Sequence, residues 1–119
     1  MYKQYEAFEN AEEVWLWYCA CLEARREGLR SRGDYQGPER PCEISDIERI
    51  VKYLRRQGKL RLRQLNTMYR WGAMHCSPYY DRRAGRIEVR LWDEGLRCLE
   101  PLLRSKGIII AEEEYNAAF

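Results

Sequence analysis

Catalytic residue types are scarce in this sequence of 119 residues. Its single histidine, His75, lies beside Cys76, where adjacent side chains usually point apart and no third group is available to orient them. The centre of the chain, residues 49–86, holds one carboxylate, Asp81, whereas phosphodiester chemistry normally uses clustered carboxylates and divalent metal. The eight glycines are scattered and form no phosphate-binding loop. These absences argue against an enzyme.

Metal-binding spacing is also missing. No two of the five cysteines form the CxxC pair of zinc sites. An odd number of cysteines in a chain without an export signal is typical of reduced thiols, so we expect small buried apolar side chains and no disulfide framework. We therefore predict neither a metal nor a cofactor. The five cysteines are Cys19, Cys21, Cys42, Cys76 and Cys98.

Long apolar runs are absent. The longest, residues 14–22, is far shorter than the roughly 20 residues that a bilayer span requires. The acidic start of the chain lacks the basic and apolar regions of a secretory signal, so the cytoplasm is the expected location. The length suits one compact core and is too short for two ordinary domains. We expect residues 1–119 to form one domain without membrane contact.

The spacing of apolar residues predicts an all-α fold of about four helices. Ser45 and Glu48 fit a capping box at the start of the second helix, and Gly58 should end it. Pro101 should kink the last helix and Gly107 should end it. The predicted helices cover residues 9–30, 46–57, 61–71 and 87–105, with loops at 31–44 and 73–85 and an acidic tail at 111–119.

The start of the last helix has an alternative structure. Ile87, Val89 and Leu91 alternate as in a strand, although the residues after them continue with helical spacing. A small β-hairpin near residues 78–91 would be consistent with that alternation. It would turn the central helices into a winged arrangement.

The first predicted helix is apolar around its whole circumference over residues 14–22. One neighbouring layer cannot cover such a helix, so either other helices wrap it or it pairs with a second copy of the chain. Trp17 lies roughly opposite Trp15 on a helical wheel. We therefore predict Trp17 as the residue left over for a partner, and a homodimer through this helix.

Positive charge is concentrated in the middle of the chain. Residues 49–86, hereafter the basic segment, hold eleven bases and one acid, a net charge of +10. Residues 1–48 and 87–119 carry −5 and −3, which leaves +2 overall. A block of this kind is either a solvated face balanced by acidic flanks or a surface for an anionic partner, of which nucleic acid phosphate is the commonest.

Two short helices around Gly58 have the outline of a helix-turn-helix. The detailed match is weak, because Gln57, Lys59 and Gln64 occupy positions that the motif usually fills with apolar residues. Another trihelical arrangement is therefore favoured over the standard motif. The predicted phosphate contacts are Lys52, Arg55, Arg56 and Lys59; the predicted base contacts are Arg61, Arg63, Gln64, Asn66, Thr67 and Arg70; and Arg82, Arg83 and Arg86 follow in the next loop.

These features favour a nucleic-acid-binding protein, specifically a DNA-binding, helix-turn-helix-like transcription regulator. The alternative is an adaptor or inhibitor that docks on a larger protein through the aromatic first helix and the basic surface. RNA stays open as a ligand, because Tyr79 and Tyr80 suit stacking on unpaired nucleotides. Tyr53, Tyr69 and Trp71 are more typical of core positions.

Overall fold

The computed structural model describes residues 6–28 and 40–111. A short 3₁₀ turn, Pro78–Tyr80, lies between the third and fourth helices of this part of the chain. The prediction of one all-α domain with about four helices is confirmed. The helices are α1 (Ala11–Arg26), α2 (Ile44–Arg56), α3 (Leu62–Ala73) and α4 (Arg86–Ser105).

The hairpin alternative is wrong. Residues 78–91 form the 3₁₀ turn, a loop and the first turns of α4, so the helical spacing decided this region. The first helix is shorter than predicted: α1 ends at Arg26, because Gly28 adopts a left-handed conformation with φ of 83° that stops the helix before residue 30. Other expectations concern residues outside the described ones, namely 29–30, most of the following loop (31–39) and the tail from residue 112.

Glycines close two of the helices as predicted. Gly58 and Gly107 follow α2 and α4 with φ of 72° and 74°, a left-handed conformation that glycine adopts without steric cost. After α2, the Lys59 amide donates to the Leu54 carbonyl at 3.0 Å. This bond closes the helix and starts the tight turn toward α3.

The start of α2 differs from the prediction. The helix begins at Ile44, and the Asp46 carboxylate accepts from the Glu43 amide at 2.7 Å. Ser45 and Glu48, the predicted capping box, therefore lie inside the helix. Asp46 lies three residues after Glu43, just as Glu48 lies three residues after Ser45. The sequence therefore allowed two positions for the start of this helix.

Helix α1 is the centre of the core. Trp15 is fully buried, and its indole N–H donates to the Met68 carbonyl of α3 at 2.8 Å. The hydroxyls of Tyr18 and Tyr69 lie 3.0 Å apart and share a hydrogen bond. Because α1 packs against α2, α3 and α4, one side of its apolar circumference is buried within the chain, whereas Leu16, Trp17, Cys21 and Leu22 are partly buried and Ala20 is exposed. Pairing through α1 stays a prediction.

Trp17 is not the exposed residue that the sequence predicted. It is partly buried and packs on the core, with its ring centroid 5.3 Å from that of Phe8. The Arg40 guanidinium lies over the Phe8 ring, 4.1 Å from its centroid. The segment before α1 supplies this cover, which a helical wheel of α1 alone cannot reveal.

The segments on either side of the helices meet. Phe8 and Ile109 form an isolated parallel bridge. The Phe8 amide donates to the Ile108 carbonyl, and the Ile110 amide donates to the Phe8 carbonyl, both at 2.9 Å. This bridge ties the start of α1 to the end of α4.

Helix α3 lies antiparallel to α4 and against α1, and a glycine marks each contact. A Cβ on Gly95 of α4 would lie 2.3 Å from the Met68 sulfur, and one on Gly72 of α3 would lie 2.3 Å from the Cys19 sulfur. Both glycines therefore allow backbones to approach closely. The remaining side of α3 faces solvent.

Candidate nucleic-acid interface

Every base of the basic segment is exposed to solvent. Among the described residues, only three of these eleven bases lie within 4.0 Å of a carboxylate. They are Arg49 with Asp46 at 3.7 Å, Arg70 with Glu88 at 3.3 Å and Arg83 with Asp81 at 2.7 Å. The other eight are Lys52, Arg55, Arg56, Lys59, Arg61, Arg63, Arg82 and Arg86.

Bases elsewhere in the molecule behave differently. Of the seven outside the basic segment that the structure describes, five form such an ion pair, and Arg26 and Lys106 form none with a described carboxylate. The described acidic residues thus pair mainly with bases of the flanks and with few bases of the centre. The charge excess of the sequence survives folding as an excess at the surface.

The first part of the interface is the outer face of α2. Val51 and Leu54 are buried, whereas Lys52, Arg55 and Arg56 are exposed on the other side of the helix. Here the helical period separates the apolar stripe from the bases, as predicted. All three bases are long side chains in solvent, which suits contacts to phosphates.

The turn between α2 and α3 continues this face and is held in place. The Arg55 guanidinium donates to the Leu60 carbonyl at 3.1 Å. From the other side, the Cys98 thiol of α4 donates to the Lys59 carbonyl at 3.1 Å. Fully buried Leu60 anchors the turn in the core. The bases on the turn therefore project from a fixed backbone.

The next part of the interface is the exposed face of α3, which runs toward the start of α4. Arg63, Asn66 and Arg70 are exposed, and Arg63 and Arg70 lie seven residues apart, on one face about two turns long. Arg70 contacts Glu88, whose other carboxylate oxygen accepts from the Trp71 indole at 2.8 Å. This junction connects the exposed face of α3 to the loop before α4.

Gln64 does not belong to this interface. It is 7% exposed, and its side-chain oxygen accepts from the Arg61 amide at 2.9 Å. Its amide group reaches Glu94 of α4 at 3.5 Å. Gln64 is therefore a capping residue, a role typical of glutamine at the third position of a helix. Thr67 is partly buried, so Asn66 is the better exposed of the predicted polar residues.

The α2 and α3 pair lacks the packing of a standard helix-turn-helix. In that motif the two helices pack on each other, whereas in the described part of this chain α3 packs mainly on α4 and α1, and α2 packs on α4 and α1. The polar residues around Gly58 explain the difference, since they offer no apolar contact between the two helices. The favoured alternative, another trihelical arrangement, fits these contacts.

The loop before α4 is compact and carries exposed aromatic side chains. Residues 77–85, hereafter the tyrosine loop, begin at Ser77 and Pro78, which are buried. Tyr79 and Tyr80 are 60% and 84% exposed. Arg82 and Arg86 are also exposed. This short stretch of chain therefore presents both aromatic and cationic side chains to solvent.

Three apolar side chains are more exposed than their types suggest. Tyr53, predicted as core, is 46% exposed, and Leu62 and Ile87 are 54% and 62% exposed. Leu62 and Ile87 lie in the first turns of α3 and α4, where the helical stripe has not yet reached the core. Trp71 is 3% exposed, as predicted.

Buried thiols in the described structure are poor nucleophiles. Burial raises the pKa of Cys19 to about 12 and that of Cys42 to about 11. Burial also raises the pKa of Cys21 and Cys98. Since the thiolate is the reactive form, these four cysteines are almost wholly protonated at neutral pH. They act as packing groups.

Two open grooves lie on the surface of the described residues. One of about 320 Å³ includes Ile50, Tyr53 and Leu102, and another of about 390 Å³ includes Glu12, Glu13, His75 and Tyr80. Residues 6–28 and 40–111 contain no group of three or more His, Cys, Asp or Glu placed to hold a metal ion. None of the described helices is long and apolar enough to cross a bilayer.

Comparisons with protein-family models, with curated proteins and with solved structures give no match to this chain. The surface of the protein is therefore the only basis for inferring its function.

Proposed function

We propose that this protein binds nucleic acid through the basic segment, with duplex DNA as the ligand, and acts as a transcription regulator. One observation carries the proposal. Eight of the eleven bases in the segment are exposed and lie beyond ion-pair distance of every described carboxylate. Like charges held at this density repel one another, and a polyanion relieves that repulsion while releasing its own counterions.

The two parts of the surface suit different contacts. Bases on α2 and the following turn, including Arg56 and Lys59, suit phosphates, which position a protein without reading sequence. The exposed face of α3 presents Arg63, Asn66 and Arg70 side by side. Arginine pairs with guanine and asparagine with adenine in the major groove, so this face suits base recognition.

The test is a fluorescence anisotropy titration of the protein with labelled duplex DNA over a range of NaCl concentrations. If six or more phosphates are contacted, affinity should fall by roughly 10³-fold or more between about 50 and 200 mM salt. Binding that is absent at low salt, or that does not change with salt, would overturn the proposal.

Single substitutions separate the two kinds of contact. Arg63→Ala should weaken the preference among DNA sequences, whereas Lys59→Ala should weaken all sequences alike. Arg97→Ala is a matched control, since Arg97 is an equally exposed arginine that pairs with Asp93 on α4 outside the basic segment. If Arg97→Ala reduces affinity as much as the other two, the interface is wrongly placed.

The adaptor alternative has weaker support. It uses the aromatic first helix together with the basic surface, and Trp17 of that helix is partly buried against Phe8. If Trp17→Ala abolishes function in a chain that remains folded while Arg61 and Arg63 substitutions do not, the adaptor is the better description.

A further inference from the structure

We propose that the tyrosine loop is a separate subsite that stacks an unpaired base next to duplex bound by α3. The inference deepens the proposed function and rests on it. Four properties of the loop support it: exposure, rigidity, charge and position. Each comes from contacts among the described residues.

Two neighbouring phenol rings are presented to solvent. Tyr80 is 84% exposed and Tyr79 is 60% exposed, the first and third highest values among the large apolar side chains of the described residues. A flat ring with both faces free is the group on which unpaired bases stack in single-strand-binding proteins. Phenol rings accept any base, because every base has a π face.

The backbone that carries the rings is held in place before any ligand arrives. Pro78 is fully buried, and the Ser77 hydroxyl accepts from the Tyr79 amide at 3.3 Å. The Tyr80 amide donates to the Ser77 carbonyl at 3.1 Å, and the Asp81 amide donates to the Pro78 carbonyl at 3.3 Å. Because these bonds hold the turn, stacking a base has to order only the tyrosine side chains.

The charge of the loop suits a phosphate chain. Asp81 accepts from the Arg83 amide at 2.8 Å and from its guanidinium at 2.7 and 3.0 Å, so Arg83 and Asp81 neutralise each other and stiffen the turn. Arg82 and Arg86 have no carboxylate partner among the described residues. Each is therefore available to a phosphate.

The position of the loop links it to the proposed duplex surface. Glu88, two residues after Arg86, accepts hydrogen bonds from Arg70 and Trp71 of α3. The base-reading face of α3 therefore ends beside the start of α4, where the loop arrives. A strand that leaves a duplex on α3 meets the loop next, and this favours a junction of double and single strand over a free single strand.

The experiment compares one blunt duplex with the same duplex carrying a short single-stranded overhang that contains 2-aminopurine. The wild-type protein should bind the overhang duplex at least roughly tenfold more tightly, and the 2-aminopurine fluorescence should fall as the base stacks. Tyr79→Ala and Tyr80→Ala should remove most of this gain and the quenching, without changing affinity for the blunt duplex. Tyr79→Phe and Tyr80→Phe keep the rings and should retain both.

Tyr53→Ala is the matched control, because Tyr53 is an exposed tyrosine in a groove on α2 and α4, away from the tyrosine loop. Tyr53→Ala should change the affinity for neither the blunt duplex nor the overhang duplex. The inference is overturned if the overhang does not increase affinity, or if the increase persists in both alanine variants. Neither outcome affects the proposal that the protein binds duplex DNA. Phe variants that behave like the Ala variants also overturn it. Failure to bind the blunt duplex instead defeats the proposed function.

Discussion

At the scale of single residues, the absence of a side chain decides how closely α3 approaches its neighbours. Gly72 faces Cys19 of α1, and Gly95 faces Met68 of α3. The two sites differ in what can move away. Cys19 has one short, buried side chain, whereas methionine is long, unbranched and adaptable. The same substitution should therefore have different costs at the two positions.

We expect Gly72→Ala to lower the free energy of unfolding by about 1–3 kcal/mol, because the new methyl group overpacks the contact with the Cys19 sulfur. Gly95→Ala should cost less, since the long and flexible Met68 side chain can change rotamer. Urea unfolding followed by circular dichroism measures both values. In a Cys19→Ala background, most of the Gly72→Ala cost should disappear. An equal cost in both backgrounds would show that the sulfur is not the obstacle.

Residue-scale errors in the sequence analysis have physical causes. Gln64 was predicted as a base contact because its type suits adenine, but its spacing from Arg61 makes it a cap. Trp17 was predicted as a partner contact because its helix was considered alone, yet Phe8, outside that helix, covers it. Polar and aromatic types have several uses, and tertiary contacts decide among them.

At the scale of helices, the α1 and α3 interface contains ionisable groups that the fold keeps neutral. Burial and the hydrogen bond with Tyr69 raise the pKa of Tyr18, and burial raises the pKa of Tyr69. Burial raises the pKa of Cys19 in the same interface to about 12. These groups retain protons in the folded state at a pH where the unfolded chain releases them.

Stability should therefore be lost on the alkaline side. Below about pH 9 both states are protonated and the stabilisation is complete; it declines as the pH rises through the ordinary pKa values of 9.0 for cysteine and 10.0 for tyrosine toward the higher folded-state values. Urea unfolding at a series of pH values gives the free energy of unfolding as a function of pH. Above pH 10, Tyr18→Phe should make the fall of this free energy with pH shallower by up to about 1.4 kcal/mol per pH unit. An unchanged slope would show that Tyr18 ionises freely in the folded protein.

Helix positions were predictable, and helix contacts were not. Apolar spacing and the glycines at positions 58 and 107 placed α2, α3 and α4 within one or two residues of the observed bounds. The choice between a hairpin and a helix at Ile87 was settled by later residues such as Trp92 and Leu99, which are buried. Which helix packs on which depends on glycine contacts across the core, and these have no sequence period.

At the scale of the whole molecule, the distribution of charge affects stability as well as binding. The basic segment carries +10, and most of its bases lack a carboxylate partner in the described structure. Mutual repulsion among them should destabilise the folded state at low ionic strength. Salt screens such exposed charges over about 8–10 Å at physiological concentrations.

We expect the thermal midpoint to rise by several degrees between about 20 and 300 mM NaCl, since screening relieves repulsion more than it weakens the few surface ion pairs. The double variant Lys52→Gln/Arg56→Gln should have a higher midpoint at low salt and a smaller rise. Differential scanning calorimetry without any ligand makes the measurement. A midpoint that falls with salt would mean that attractive pairs dominate the surface.

The sequence predicted the existence of a charged surface better than its details. Helical periodicity placed the bases of α2 in solvent, because the buried positions of that helix are all apolar. Whether the acidic flanks would neutralise those bases depended on which carboxylates the fold brings near them. Composition cannot answer that question. Three of those carboxylates, Asp93, Glu94 and Glu100, form ion pairs with arginines of α4 instead.

The parallel bridge between Phe8 and Ile109 has a mechanical consequence. In a parallel pair, a force that pulls the two ends of the chain apart acts along the paired backbones, so the hydrogen bonds from Phe8 and Ile110 are stressed in shear and must break together. The helices behind them bear no tension until that rupture. The domain should therefore extend under load with an initial threshold, instead of peeling gradually from one terminus.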